Sequence, residues 1–227
     1  MTAFEESDLL ERIALCVEKG KVDLRSLHPP EMKNQDGADE LVQSALKEGV
    51  TPAEILEKGL VAGMTQVGEK FKKNEIYLPD VLVAARAMTA GMEHLKPYFL
   101  SGDIEHQGTI VLGTVAGDLH DIGKKIVAMI FEGGGWEVID RGVDVSADSF
   151  IEAIEHCSPQ AVGLSALLTT TMVSMEQITK EIKSVHPELL VAIGGAPITA
   201  EFAEKIGADI YSPDPQGALD VLNSFRN

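Results

Sequence analysis

Three short and almost wholly apolar runs, TIVLGTV from Thr109, AVGLSAL from Ala161 and LLVAIGG from Leu189, constrain this chain more than any other feature. Each is followed by a loop of small residues and then by a stretch with helical spacing. Strands buried on both faces read this way, because neither face alternates with solvent, and burial on both faces is the rule in parallel sheets covered by helices. WEVIDRG from Trp136 adds a fourth strand and GADIYS from Gly207 a short fifth. Helices are expected near Ile122 to Glu132, Ala147 to His156, Met172 to Val185, Thr199 to Ile206 and Gln216 to Phe225. Alternating units of this kind predict a doubly wound, five-stranded parallel sheet over residues 109–227, of flavodoxin-like (Rossmann-like) type.

The residues before it have a different texture. Over residues 1–97 apolar positions recur at helical spacing and strand signals are nearly absent, so an all-α four-helix bundle is expected there. Its helices run from about Asp8 to Lys19, from about Asp36 to Glu48, from Pro52 along the stripe Ile55, Leu56, Leu60, Met64, Val67 and Phe71, and from Val81 through Leu95 to Pro97. Thr51 followed by Pro52 and Glu54 is an N-terminal helix signature. Residues 98–108, within the turn-rich PYFLSGDIEHQG, form the expected linker.

Composition excludes several classes of function. With 19 Lys+Arg against 36 Asp+Glu the formal charge is −17, which repels phosphate backbones and anionic lipid, so nucleic-acid binding is not expected. No apolar run reaches the length of a membrane helix and the start lacks the pattern of a signal peptide, which predicts a cytoplasmic protein without membrane attachment. Cys16 and Cys157 stand far apart with no CxxC, arguing against a disulfide framework or structural zinc.

In a doubly wound sheet the ligand lies at the carboxyl ends of the strands, which directs attention to AGDLHDIG, Ala116 to Gly123, after the first run. Gly117 and Gly123 enclose five residues, no Ser or Thr follows Lys124 and Lys125, and GxGxxG is absent, so neither a P-loop nor a dinucleotide fingerprint is present. What remains is Asp118, His120 and Asp121. One reading makes an aspartate the helix cap and His120 an ordinary loop residue. A catalytic zinc would need a third well-directed donor, and no second cluster supplies one. The spacing suits one axial histidine on a cofactor-held metal, since Asp118 can accept the other ring N–H and fix the tautomer.

DLHDIG resembles the D-x-H-x-x-G signature of cobalamin-binding domains, and SALLT with Ser165, Leu167 and Thr169, and the doublet Gly194-Gly195, resemble its second and third parts. The upstream VGEKFKKNEIYLPDVLVAARAM is similar to the helical module of methionine synthase and of small corrinoid proteins in methyltransferase systems. The likeness runs from about Leu41 to Phe225, and with no barrel attached the chain most resembles free-standing corrinoid proteins. The resemblance implies a carrier of methyl groups on the cobalt of cobalamin or a related corrinoid. It implies three partners: a substrate-specific methyltransferase, a second methyltransferase that accepts the methyl group, and a reductive activator protein. It implies a base-off cofactor with His120 as lower ligand and Asp118 as its hydrogen-bond partner. Thr171 stands where methionine synthase has a serine continuing that chain. Gly117, Leu119, Asp121 and Ile122 would contact the cofactor from the loop, and Gly123 would let the helix start clear its tail. Ser165 would hydrogen-bond the displaced base, Gly194 and Gly195 would let backbone approach it, Tyr211 would border the tail slot, Leu167 and Thr169 would also contact the cofactor, and Met64 and Val67 would face it from the bundle. Ser165 and Thr169 are also ordinary helix-capping types, Gly194-Gly195 an ordinary turn, and Met64 and Val67 ordinary core. A cobalamin-dependent sensor, the cofactor subunit of an adenosylcobalamin mutase and a flavin-binding domain are the alternatives. A sensor would add a DNA-binding head, a mutase subunit would lack the bundle, and a flavin domain would give His120 no role.

Overall fold

The computed structural model describes residues 3–225, so the outer ends of the two expected ranges, residues 1–2 and 226–227, lie outside the described residues. The chain forms two compact units, one running up to His106 and taking in Gly133–Gly135, the other made of the remaining residues from Gln107 on.

In the first unit α1 (Ala3–Lys19) packs against α2 (Ala38–Lys47), α4 (Ala62–Lys72) and α5 (Leu78–Ser101). A short helix α3 (Pro52–Glu54) leads through a π-wound segment, Ile55–Val61, directly into α4, so the four expected helices are present with the third built in three parts. Thr51 starts it, its hydroxyl accepting from the Glu54 N–H at 3.3 Å, while Pro52 occupies a position whose N–H has no intrahelical partner. The wide turn has no counterpart in a simple helical period. It leaves Ile55, Leu60, Met64 and Val67 buried as the stripe requires, together with Ile13, Val17, Val42 and Leu95. α2 begins at Ala38 rather than Asp36, because Glu40 reaches back to accept from the Gly37 N–H at 2.9 Å.

The expectation that the last helix stops at Pro97 is corrected: α5 runs past it to Ser101. Proline removes one donor but does not bar a helix whose neighbouring bonds hold. The stop comes at Gly102, whose φ of 79° reverses the chain while its N–H and that of Asp103 donate to the carbonyls of Phe99 and Tyr98.

The second unit is a five-stranded, all-parallel sheet of order β2-β1-β3-β4-β5. Its strands are β1 (Thr109–Thr114), β2 (Glu137–Asp140), β3 (Ala161–Ser165), β4 (Leu190–Gly194) and β5 (Ile210–Tyr211). The connecting helices are α6 (Ile122–Gly133), α7 (Ala147–Cys157), α8 (Met172–Val185) and α9 (Ala200–Ile206), and α10 (Pro215–Ser224) follows β5. Residues alternate between the two faces of a strand, and the register turns that alternation into function. Val111, Val162 and Val191 share one rung, are fully buried, and join Phe150, Met175 and Ile182 of α7 and α8 in the core. The next rung is Leu112, Gly163 and Ala192, where Gly163 makes space for the Leu112 side chain and all three line a cavity. Thr114, Ser165 and Gly194 end the three strands in one row. After β1 the chain moves to β2 on one side and later returns to β3 on the other, so the loops after β1 and β3 diverge. That divergence is the topological switch point where ligands bind in sheets of this class.

Candidate cofactor site

Asp118 lies in the loop after β1 and is completely buried. Its Oδ1 accepts from the His120 backbone N–H at 3.0 Å and lies 2.7 Å from His120 Nδ1. Its Oδ2 accepts from the backbone N–H groups of Leu167 at 2.8 Å and Leu168 at 3.2 Å, and from the Thr171 hydroxyl at 2.8 Å. Burial opposes ionisation of this carboxyl, but the donors around it outweigh that penalty and hold its pKa well below the ordinary carboxylate range. The side chain is therefore an anion and accepts only, so the proton between it and His120 sits on Nδ1. In the neutral ring this tautomer leaves the lone pair on Nε2, the form in which an imidazole binds a metal.

The loop itself is fastened from behind. Thr114 Oγ1 donates to the His120 carbonyl at 2.9 Å, and Gly117 N–H donates to Asp144 Oδ1 at 2.7 Å. The Asp144 N–H donates to the Asp118 carbonyl at 3.0 Å. Buried Lys124, on the first turn of α6, donates to Asp140 and, at 2.6 Å, to the Gly142 carbonyl. It thereby ties that helix to the loop carrying Asp144. His120 is half exposed, and Leu119 and Ile122 on either side of it are 71% and 68% exposed. Asp121 does not reach the imidazole; it pairs with Lys125 one turn along.

Beside this loop a cavity of about 490 Å³ is enclosed by the sheet, α6 and α10. Gly123, Ser165, Gly194, Gly195 and Tyr211, all expected at a tail slot, line it. A Cβ at Gly123 or Gly194 would project into open space. Gly195 is different: its φ is 131°, and a Cβ there would run into the Ala166 carbonyl oxygen. Gly195→Ala should therefore cost about 2–5 kcal/mol from strain and crowding together, read as a lowered urea midpoint. An unshifted midpoint would show that the turn relaxes freely.

One expected residue stands apart from this arrangement. Thr169 is exposed and makes none of the Asp118 bonds, which come instead from Leu167, Leu168 and Thr171. Met64 and Val67 lie on α4 in the helical unit and are buried there. The sequence reading missed Leu168, because a backbone N–H carries no side-chain signal. It also missed Asp144 and Lys124, whose partners become neighbours only through the sheet. The thiol of Cys16 is raised to about 11 by burial, which makes it a core residue and not a nucleophile. Among the described residues no group of three or more His, Cys, Asp or Glu could hold a metal by itself, and no helix is long and apolar enough to cross a membrane.

Comparison with known proteins gives the same assignment to both halves. Residues 34–96 and residues 108–220 match two family models, each described as a B12 binding domain. The trimethylamine corrinoid protein 1 of Methanosarcina acetivorans is 41% identical over 197 residues, covering 85% of this chain and 90% of that protein. The dimethylamine corrinoid protein 2 of the same organism is 43% identical over 176 residues, 76% of this chain and 82% of that protein. Among solved structures, a cobalamin-binding protein from Desulfitobacterium hafniense is similar with a TM-score of 0.74 and 29% identity, over 95% of this chain and 98% of that one. The methanol:cobalamin methyltransferase complex MtaBC from Methanosarcina barkeri contains a chain similar with a TM-score of 0.80 and 26% identity, over 99% of this chain and 84% of that one. With an ionised aspartate behind an imidazole at the switch point, and this identity across most of both chains, the protein belongs to the B12-binding corrinoid protein family of the methylamine corrinoid proteins.

Proposed function

We propose that this protein carries methyl groups on a bound corrinoid between two methyltransferases. The observation that carries the reading is the Asp118–His120 pair, in which the buried carboxylate holds Nδ1 and turns Nε2 outward as the ring's metal-binding nitrogen. The cavity fits the cofactor's tail: it lies against the sheet, is left open at Gly123 and Gly194 where side chains are missing, and meets the cofactor loop at Gly123.

A corrinoid supplies a cobalt centre that takes up and gives away a methyl group. The protein's residues do the rest. His120 Nε2 would hold the cobalt in place of the cofactor's own base. Asp118 fixes the tautomer and raises the basicity of the ring, and Thr171 helps keep Asp118 ionised. The Thr171 hydroxyl has one proton and two acceptors in reach, Asp118 Oδ2 at 2.8 Å and the Leu168 carbonyl at 2.9 Å. A shift of that proton changes how strongly Asp118 draws on the imidazole N–H. Ser165, in the cavity lining, would donate to the base of the bound cofactor. Leu119 and Ile122 offer exposed apolar area that a flat macrocycle would cover.

The family relatives named for trimethylamine and dimethylamine, and the MtaBC complex, support a substrate-specific methyltransferase as first partner. A second methyltransferase takes the methyl group on, and a reductive activator restores cofactor that has lost an electron; the protein works in the cytoplasm. The test is incubation with hydroxocobalamin, removal of free cofactor, then reduction and addition of a methyl donor, followed by visible absorption. Retention of one corrinoid per chain with a spectral change on methylation is expected. Absence of retention would overturn the reading, and retention without methylation would favour a sensor or a mutase subunit.

A further inference from the structure

We infer that the tail cavity selects corrinoids by the class of their lower base, accepting benzimidazole-type bases and discriminating against purines. The inference rests on the cofactor reading above and concerns which cofactor is taken. The wall is apolar: Leu112, Val127, Phe131, Ala192 and Ala218 line the cavity, and Leu112 and Phe131 are at most 3% exposed. Its polar side chains are largely committed elsewhere. Lys124 is bound to Asp140 and the Gly142 carbonyl. The Tyr211 hydroxyl gives its proton to the Ile198 carbonyl at 3.1 Å. Asp214 accepts from the Gly217 N–H at 2.7 Å as the cap of α10, and Ser212 accepts from the Asp214 N–H at 3.4 Å. These last two sit with exposed Pro213 at the partly solvated end of the cavity. Ser165 is left as the hydroxyl at the sheet.

One donor matches what a displaced benzimidazole needs. That base has a single unsubstituted ring nitrogen, and the rest of its edge is carbon. A purine adds further ring nitrogens and, in adenine, an exocyclic amine. Buried against this wall they would lose water without gaining partners, and each unpaired group costs about 1–3 kcal/mol, roughly tenfold or more in affinity. Sites that leave buried polar groups unpaired discriminate strongly for this reason.

The experiment is equilibrium binding of three corrinoids to the whole protein, followed by absorption of the retained cofactor. They are one with dimethylbenzimidazole, one with adenine, and cobinamide, which lacks the base. The dimethylbenzimidazole form should bind at least about tenfold more tightly than the adenine form, with cobinamide also weaker. Equal binding of the two based forms, or tighter binding of the adenine form, would overturn the inference and leave the cofactor reading standing. Failure of all three to bind would overturn both.

Discussion

Replacing His120 by alanine will leave the protein folded and able to retain a corrinoid, while removing the nitrogen splitting that a lower imidazole gives the electron paramagnetic resonance spectrum of the one-electron-reduced cofactor. The two halves of this expectation come from different places in the structure. Retention depends on the cavity between the sheet, α6 and α10, which His120 does not line. Ligation, on the proposed reading, would depend on Nε2 alone. Because the side chain is half exposed, its loss costs the fold little, within about 1 kcal/mol. Methyl transfer should fall by about 10–100-fold or more, since even residues behind a metal ligand have effects of that size. A spectrum that keeps its nitrogen splitting in the variant would take His120 out of the lower-ligand position.

The second large effect is expected without touching the ligand. Asp118→Asn keeps the shape of the side chain but exchanges one acceptor oxygen for a donor. Three donors converge on Oδ2, from Leu167, Leu168 and Thr171, and two groups of His120 converge on Oδ1. The amide nitrogen therefore costs least when it faces His120, where the imidazole can answer by moving its proton from Nδ1 to Nε2. The His120 backbone N–H is then left facing a donor, at about 1–3 kcal/mol of stability. The larger consequence is chemical: with Nε2 protonated, the ring has no lone pair for a metal. The variant should thus reproduce the loss of ligation expected for His120→Ala while keeping the histidine. Nitrogen NMR of the imidazole in cofactor-free protein reads the tautomer directly, expected with Nδ1 protonated in the parent and Nε2 protonated in the variant. The same tautomer in both proteins would show that Asp118 does not set it. Glutamate at the same position would keep the charge but not the reach, and should also lose the Leu167 and Leu168 bonds.

These two variants separate positioning from ligation, and the Lys124 tie to Asp140 and Gly142 explains how that geometry is kept in a loop. The loop's backbone is held by Asp144, whose own position follows from the chain segment that Lys124 fastens. Loops that carry function on a rigid scaffold depend on such backing to hold side chains within the tolerance that chemistry needs.

Much of this was legible in the chain itself. The apolar runs from Thr109, Ala161 and Leu189 appear as β1, β3 and β4 because strands buried on both faces have no freedom to alternate with polar residues. Thr51-Pro52 starts its helix because capping is local chemistry. Asp118 and His120 are two residues apart, so their pairing was legible from spacing. The sequence also contained Gly194-Gly195 but not the reason that Gly195 alone is obligatory, which is the Ala166 carbonyl from another strand's loop. Nor did it reveal the π-wound turn at Ile55–Val61 or the passage of α5 through Pro97, where packing outweighs local preference. The charge state of Asp118 was decided only by tertiary structure: its donors come from residues 49 to 53 positions away as well as from its neighbour, brought together where the loops after β1 and β3 part. Periodicity and capping act over one or two turns of chain and can be read along it. A buried ion's hydrogen bonds and a cavity's walls are set by strand order and register, which exist only once the sheet has formed.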